Sequence, residues 1–65
     1  SATRIPIEIT FSKIIKKNKL KNMEAFLQQN HEKVPYGVFI ANVEEIEETR
    51  ILGKPVFIVP YFLCF

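Results

Sequence analysis

The sequence contains no aspartate and no tryptophan, and it has one cysteine and one histidine. A single cysteine cannot form a disulfide within the chain, and it cannot build the cysteine clusters that hold structural zinc. The histidine, His31, falls in a polar turn and nothing pairs it with Cys64, so no cysteine–histidine nucleophile is indicated. We expect Cys64 to be a small buried hydrophobic residue in a protein from a reducing compartment.

The sequence also lacks a long apolar run and an N-terminal signal sequence. Its most apolar segment, residues 55–65, is shorter than the roughly 20 residues of a membrane-spanning helix and is interrupted by Pro60. We therefore expect a cytoplasmic protein with no membrane partner. The aromatic residues of this segment predict a protein interface formed by Phe57, Tyr61, Phe62 and Phe65.

The chain is short and apolar for its size. It has 65 residues, of which 48% are hydrophobic, and a domain of this length lies near the limit at which a single core folds alone. We expect residues 1–65 to form one domain or a fragment of one, in contact with other domains or in a homo-oligomer. Ser1-Ala2 is interpreted as a remnant of cloning or cleavage.

The formal net charge of +2 hides an uneven distribution. Four glutamates crowd residues 44–48, and they are expected to be plain solvent-facing surface. The basic residues that crowd the earlier stretch are candidates for binding nucleic-acid phosphates: Lys13, Lys16, Lys17, Lys19 and Lys21. A solvated basic loop is the alternative interpretation of the same lysines.

Apolar and polar residues alternate over residues 4–10, which predicts a β-strand. Its two faces differ, since one carries Ile5, Ile7 and Ile9 and the other carries Glu8 and Thr10. After a basic connection, Asn18 is a predicted helix N-cap, and the helix should end near Asn30. Its apolar stripe is expected to form core: Leu20, Met23, Phe26 and Leu27.

The second half of the chain predicts strands. The continuous apolar run Val38–Ala41 is typical of a central strand covered on both faces, and with the first strand and the helix it forms a βαβ unit. Residues 46–52 are a strand of mixed polarity, with a short helix over 44–50 as the alternative. The turn Gly53-Lys54 leads into a last strand over 55–59. The predicted fold is α/β, a small mixed sheet with one main helix in the order β-α-β-β.

A family resemblance follows from five segments: Ile7-Glu-Ile-Thr10, Ser12-Lys-Ile-Ile-Lys-Lys17, residues 20–27, Gly37-Val-Phe-Ile-Ala41, and residues 56–63. In this order they resemble the last part of a PD-(D/E)xK restriction-endonuclease-like domain. The chain is most similar to the variety that follows the ATPase module in a group of prokaryotic AAA-type ATPases. The resemblance implies a partial restriction-endonuclease-like fold and a larger, ATPase-associated parent protein.

The resemblance also assigns roles. It places the family's metal-binding glutamate on Glu8 and its lysine position on Thr10. In an active member, that glutamate and an upstream aspartate would hold Mg²⁺, and the lysine would stabilise charge at the phosphate. Thr10 has no charge, so the resemblance implies a degenerate site, with no cofactor unless Mg²⁺ still binds at Glu8. The alternative is that Lys13, Lys19 or Lys21 replaces the missing lysine.

Three functions remain open from the sequence. The first is a catalytically degenerate, nuclease-like accessory domain that contacts DNA, another nucleic acid or neighbouring domains. The second is a protein-interaction or oligomerisation module without nucleic-acid binding. The third is a metal-dependent nuclease completed by an aspartate from upstream or from a partner, and in no case do we expect this chain alone to be an enzyme.

Overall fold

The computed structural model describes residues 2–65 and shows a small α/β fold with a four-stranded sheet and one long helix. Ser1, the first of the two residues interpreted as a remnant of cloning or cleavage, lies outside the described residues. The elements in chain order are β1 (Ile7–Ile9), α1 (Lys17–Gln29), β2 (Gly37–Ala41), β3 (Glu47–Ile51), β4 (Lys54–Pro60) and a final 3₁₀ turn (Tyr61–Leu63). No helix among the described residues has the length and apolar character needed to cross a membrane.

The sheet is mixed, with the strand order β1-β2-β4-β3. β1 pairs with β2 and β2 with β4 in parallel, whereas β3 and β4 form an antiparallel hairpin. The mixed sheet with one main helix is confirmed, and the order β-α-β-β is short by one strand, because the segment predicted as a strand of mixed polarity over 46–52 forms β3 beside β4. The helix considered over 44–50 is wrong, because residues 47–51 pair with β4 and the ladder outweighs the helix preference of glutamate.

The core lies between α1 and one face of the sheet. Met23 and Leu27 on the helix are buried against Phe39 of β2 and Val56 of β4, and Val34 closes the end. Spacing of four residues places Met23 and Leu27 on the same side of the helix, as the sequence predicts. The flanks of the predicted stripe are less covered: Phe26 is half-buried and Leu20 is 38% exposed.

The start of the helix differs from the prediction. α1 begins at Lys17, and Lys16 holds the N-cap position without a side-chain hydrogen bond. The Asn18 side-chain oxygen accepts a hydrogen bond from the backbone N–H of Lys19 at 2.9 Å, inside the first turn. Ile15 packs against the core just before the helix. The packing of Ile15 sets the position at which the helix begins. The capping preference of Asn18 alone does not give that position.

The face of the sheet opposite α1 is uncovered by the described residues. We call it the open face; it consists of Ile7, Ile9, Val38, Ile40, Phe57 and Val59. The four on β2 and β4 are half-buried, whereas Ile7 and Ile9 are 58% and 42% exposed. β2 is central in the sheet, as predicted, with β1 on one side and β4 on the other, but the described residues cover only one of its faces. The connection from β2 to β4 forms the edge strand β3 and supplies no second helix.

The β3–β4 turn has a strained position. Leu52 and Gly53 both have positive φ, 52° and 77°, as a two-residue type I′ hairpin requires. Glycine adopts this conformation freely, but a branched side chain in the left-handed region costs roughly 1–2 kcal/mol. The Leu52 side chain is 46% exposed and its loss would remove little packing.

We expect Leu52→Asn to raise the free energy of unfolding by about 0.5–1 kcal/mol, because asparagine tolerates positive φ and Asn-Gly is the preferred pair for this turn. Urea denaturation followed by circular dichroism measures the change. Gly53→Ala is the matched control at the adjacent position and should lower stability. A destabilised Leu52→Asn variant would contradict the strain argument.

Candidate functional site

Glu8 lies on the helix-facing side of β1, where it meets α1. Register with β2 places Glu8 opposite Phe39, on the same face as the core. Its carboxylate oxygen is 3.5 Å from the Lys19 ammonium, and the two side chains are 31% and 32% exposed. Of the three lysines considered as replacements for the one missing at Thr10, Lys19 is therefore the one that the fold brings to Glu8. The pair is long and solvated, so its contribution to stability is small.

Thr10 shares this face with Glu8, as the period of two predicts. It is the one buried polar residue of the described chain, at 8% exposure. The Thr10 N–H donates to the Ile40 carbonyl at 2.8 Å, and the Thr10 hydroxyl accepts from the Ser12 N–H at 3.3 Å. Thr10 thus ends β1 and shapes the bend that follows. These contacts give it a structural role in this fold.

The groups around Glu8 do not fit a metal site by themselves. Mg²⁺ is held by several oxygen ligands in octahedral geometry. Within residues 2–65 no group of three carboxylate, histidine or cysteine side chains is placed so that it could hold a metal ion, and the nearest charged partner of Glu8 is the cation Lys19. Glu8 therefore offers one carboxylate that is already paired, and no catalytic step can be derived from it.

The five candidate lysines do not form one surface. Lys16 and Lys17 stand exposed at the first residues of α1, and Lys21 follows Lys17 by four residues on the same side of the helix. Lys19 points to the other flank, toward Glu8. We call Lys16, Lys17 and Lys21 the basic end of α1. The first turn contains no acidic residue, so these charges add to the positive end of the helix dipole.

Lys13 belongs to a different environment. It lines an open cleft of about 500 Å³ together with Asn42, Val43 and three of the glutamates, Glu44, Glu45 and Glu47. The basic and acidic stretches, which are separate in the sequence, thus meet beyond the ends of β1 and β2. The neighbouring glutamates offset the charge of Lys13, which makes it the weakest phosphate-binding candidate of the five.

The aromatic residues predicted as one interface occupy two places. Phe57 lies on the open face and packs edge-on against Tyr36, with 5.7 Å between ring centroids. Tyr61 contacts Phe62 and also Phe11, at 6.2 and 6.1 Å, beyond the ends of β4 and β1. Phe65 is 77% exposed. Sequence reasoning missed Phe11 and Tyr36, whose only signal is that each adjoins a strand.

Cys64 is exposed, which contradicts the expectation of a buried thiol. β4 ends at Pro60, and the 3₁₀ turn carries the last residues away from the core. The Cys64 thiol lies 3.9 Å from the Pro60 carbonyl, on the surface of that turn. His31 is also exposed, with its ring nitrogen 3.4 Å from the Leu52 carbonyl. Cys64 and His31 therefore lie in different parts of the surface and contact different residues.

We expect Thr10→Val to lower the free energy of unfolding by about 1 kcal/mol, because the Ser12 N–H loses its acceptor while the side-chain volume is kept. Thermal or urea denaturation measures this change. Thr49→Val on the exposed edge strand β3 is the matched control and should leave stability within about 0.5 kcal/mol. Equal effects at the two positions would show that the Thr10 hydroxyl has no special role.

Comparison with known proteins identified no related protein. No family model matches the chain, and searches of the curated proteins and of the solved structures found no match to it. The functional argument therefore depends on the fold and on the surfaces described above.

Proposed function

We propose that this chain is a nuclease-like accessory domain without catalytic activity of its own, and that it contacts the phosphate backbone of nucleic acid through the basic end of α1. The observation that carries the proposal is the position of Lys16 and Lys17. Both are exposed at the positive end of a 13-residue helix that has no acidic residue in its first turn. Like charges at this end destabilise the isolated chain, and a bound anion would relieve that repulsion.

The geometry of the basic end suits a phosphate backbone. Lys17 and Lys21 are one helical turn apart, so their ammonium groups can follow successive phosphates along one strand. The basic end carries no arginine, the side chain best suited to a rigid bidentate contact with guanine, and the Asn18 side-chain oxygen already accepts a hydrogen bond from the Lys19 N–H. The proposed contact is therefore electrostatic and independent of sequence.

The catalytic half of the nuclease resemblance receives less support. A nuclease site needs at least two metal-binding carboxylates and a cation at the phosphate. Glu8 and Lys19 supply one of each, and the two are already paired with each other. The proposal therefore keeps the nuclease-like origin and assigns the chain a binding role within a larger, ATPase-associated protein.

A second candidate function is a protein-interaction module, and the open face favours it. Parallel sheets are nearly always covered on both faces, and here three parallel strands carry aliphatic side chains on a face that the described residues leave uncovered. Such a face is suited to packing against a neighbouring domain. Contact through the open face and contact through the basic end of α1 are compatible, because the two surfaces lie on opposite sides of the sheet.

We expect salt-dependent binding of fluorescein-labelled duplex DNA, measured by fluorescence anisotropy. Replacing Lys16 and Lys17 together by glutamine should weaken binding and reduce the slope of log affinity against log salt by roughly 0.9 for each phosphate that is no longer neutralised. Lys33→Gln with Lys54→Gln is the control. It removes the same charge from the other end of the sheet, where these two lysines line one shallow cleft.

Equal reductions in affinity for the two double variants would attribute binding to net charge alone and would contradict a site at the basic end of α1. Binding that does not weaken with salt would contradict phosphate contacts altogether. The same assay with Glu8→Gln should show unchanged affinity, since Glu8 faces Lys19 on the other flank of the helix.

A further inference from the structure

The outer edge of β1 has backbone hydrogen-bonding groups for which residues 2–65 provide no backbone partner. Even-numbered residues bond inward: Arg4 N–H donates to the Lys33 carbonyl, Val38 N–H donates to the Pro6 carbonyl, and Thr10 N–H donates to the Ile40 carbonyl. Because a strand directs alternate residues to opposite neighbours, the N–H and C=O groups of the odd-numbered residues point away from the sheet. These residues are Ile5, Ile7 and Ile9.

Pro6 does not block this edge. Proline lacks an N–H, and in sheets it normally sits on an edge strand with the missing donor facing solvent. In this chain the missing donor faces β2 instead, because the Pro6 backbone groups point inward and the Pro6 carbonyl accepts from the Val38 N–H. The outward row therefore keeps every donor and acceptor. Proline also holds the preceding residue, Ile5, in the extended region, which prolongs the edge beyond the three residues of β1.

The opposite edge of the sheet is protected in a way that β1 is not. Exposed strand edges are commonly guarded by charged side chains that prevent pairing with another chain. β3 carries Glu47, Glu48 and Arg50, all exposed. The β1 edge presents isoleucines instead, and its one charged strand residue, Glu8, is paired with Lys19. Pairing with a further strand is therefore disfavoured at β3 and open at β1.

A groove runs beside this edge. It has a volume of about 320 Å³ and lies between β1 and α1, lined by Pro6, Glu8, Asn22, Met23 and Phe26 among others. A strand added to β1 would place alternate side chains over this groove and its remaining side chains on the open face. Backbone pairing with such a groove alongside is the arrangement by which sheet edges accept an extended segment.

We propose that β1 pairs antiparallel with β1 of a second copy of this chain, around a two-fold axis at Ile7. In this register Ile7 lies opposite Ile7 of the second copy and Ile5 lies opposite Ile9, so each facing pair exchanges both of its hydrogen bonds. The row of three isoleucines is symmetric about Ile7, as an isologous interface requires.

The side chains on both faces are compatible with this register. On the open face the isoleucines form cross-strand pairs, which stabilise an antiparallel ladder. On the helix face Glu8 lies opposite Pro6 of the second copy, so no like charges face each other directly. The two four-stranded sheets become one continuous sheet, in which the β1 edge of each copy is paired and no longer exposed.

The test is the mass of the chain by sedimentation equilibrium from micromolar to millimolar concentration. We expect the mass to rise from 7.6 kDa toward twice that value. Ile9→Pro removes an outward N–H that has no partner within the fold, and it should leave the chain monomeric. Ile9→Val keeps that N–H and should still dimerise, which separates the edge contact from the loss of apolar surface on the open face.

Amide hydrogen exchange of the unmodified chain gives a second readout that does not depend on a variant folding. Protection of the Ile5, Ile7 and Ile9 amides should rise with protein concentration, whereas the Thr10 amide is already bonded within one chain. A monomer at every concentration, a dimer that survives Ile9→Pro, or exchange at these isoleucines that ignores concentration would each overturn the proposal. None of these results bears on DNA binding by the basic end of α1.

Discussion

The packing of one helix against one face of the sheet is the constraint on which the rest of this structure depends. Met23 and Leu27 bury themselves against Phe39 and Val56, and this is the only core that the described residues form. One helix of 13 residues covers a single face. The surfaces on which the proposals rest follow from this packing: the open face opposite the helix, the basic end of α1, and the groove between α1 and β1.

The same packing decides which charges meet. Lys19 and Glu8 are eleven residues apart in sequence, and they approach because α1 lies across the face of β1 that carries Glu8. Lys16 and Lys17 sit where the chain turns onto that face, so they remain in water at the positive end of the helix. The cation that the fold brings to Glu8 therefore comes from the helix, and no residue of β1 supplies one.

The sequence predicts those features that depend on a regular period. The alternation along residues 4–10 places Glu8 and Thr10 on one face, and the spacing of Met23 and Leu27 identifies the buried side of α1. The turn ahead of the last strand follows from Gly53, which stands before the apolar run 55–59. These patterns are local, and the fold preserves them because each is satisfied by a single neighbouring element.

Features that depend on tertiary packing could not be predicted from the sequence. Asn18 is a better N-cap than Lys16, but the anchoring of Ile15 in the core sets where the helix begins. The glutamates before Arg50 prefer helix, yet the ladder with β4 makes them a strand. An apolar run cannot reveal whether a helix covers one of its faces or both, so the exposure of the open face and of Cys64 could not be foreseen.

The proposed binding surfaces do not depend on a catalytic site. The basic end of α1 requires only that the helix start in its present place, and the edge of β1 requires only that odd-numbered residues face outward. Neither depends on Glu8 as a metal ligand or on a lysine at Thr10. The proposed contacts therefore require of Thr10 only that it end β1 and shape the bend that follows. Threonine does so, because its hydroxyl accepts the Ser12 N–H and its backbone stays bonded to β2.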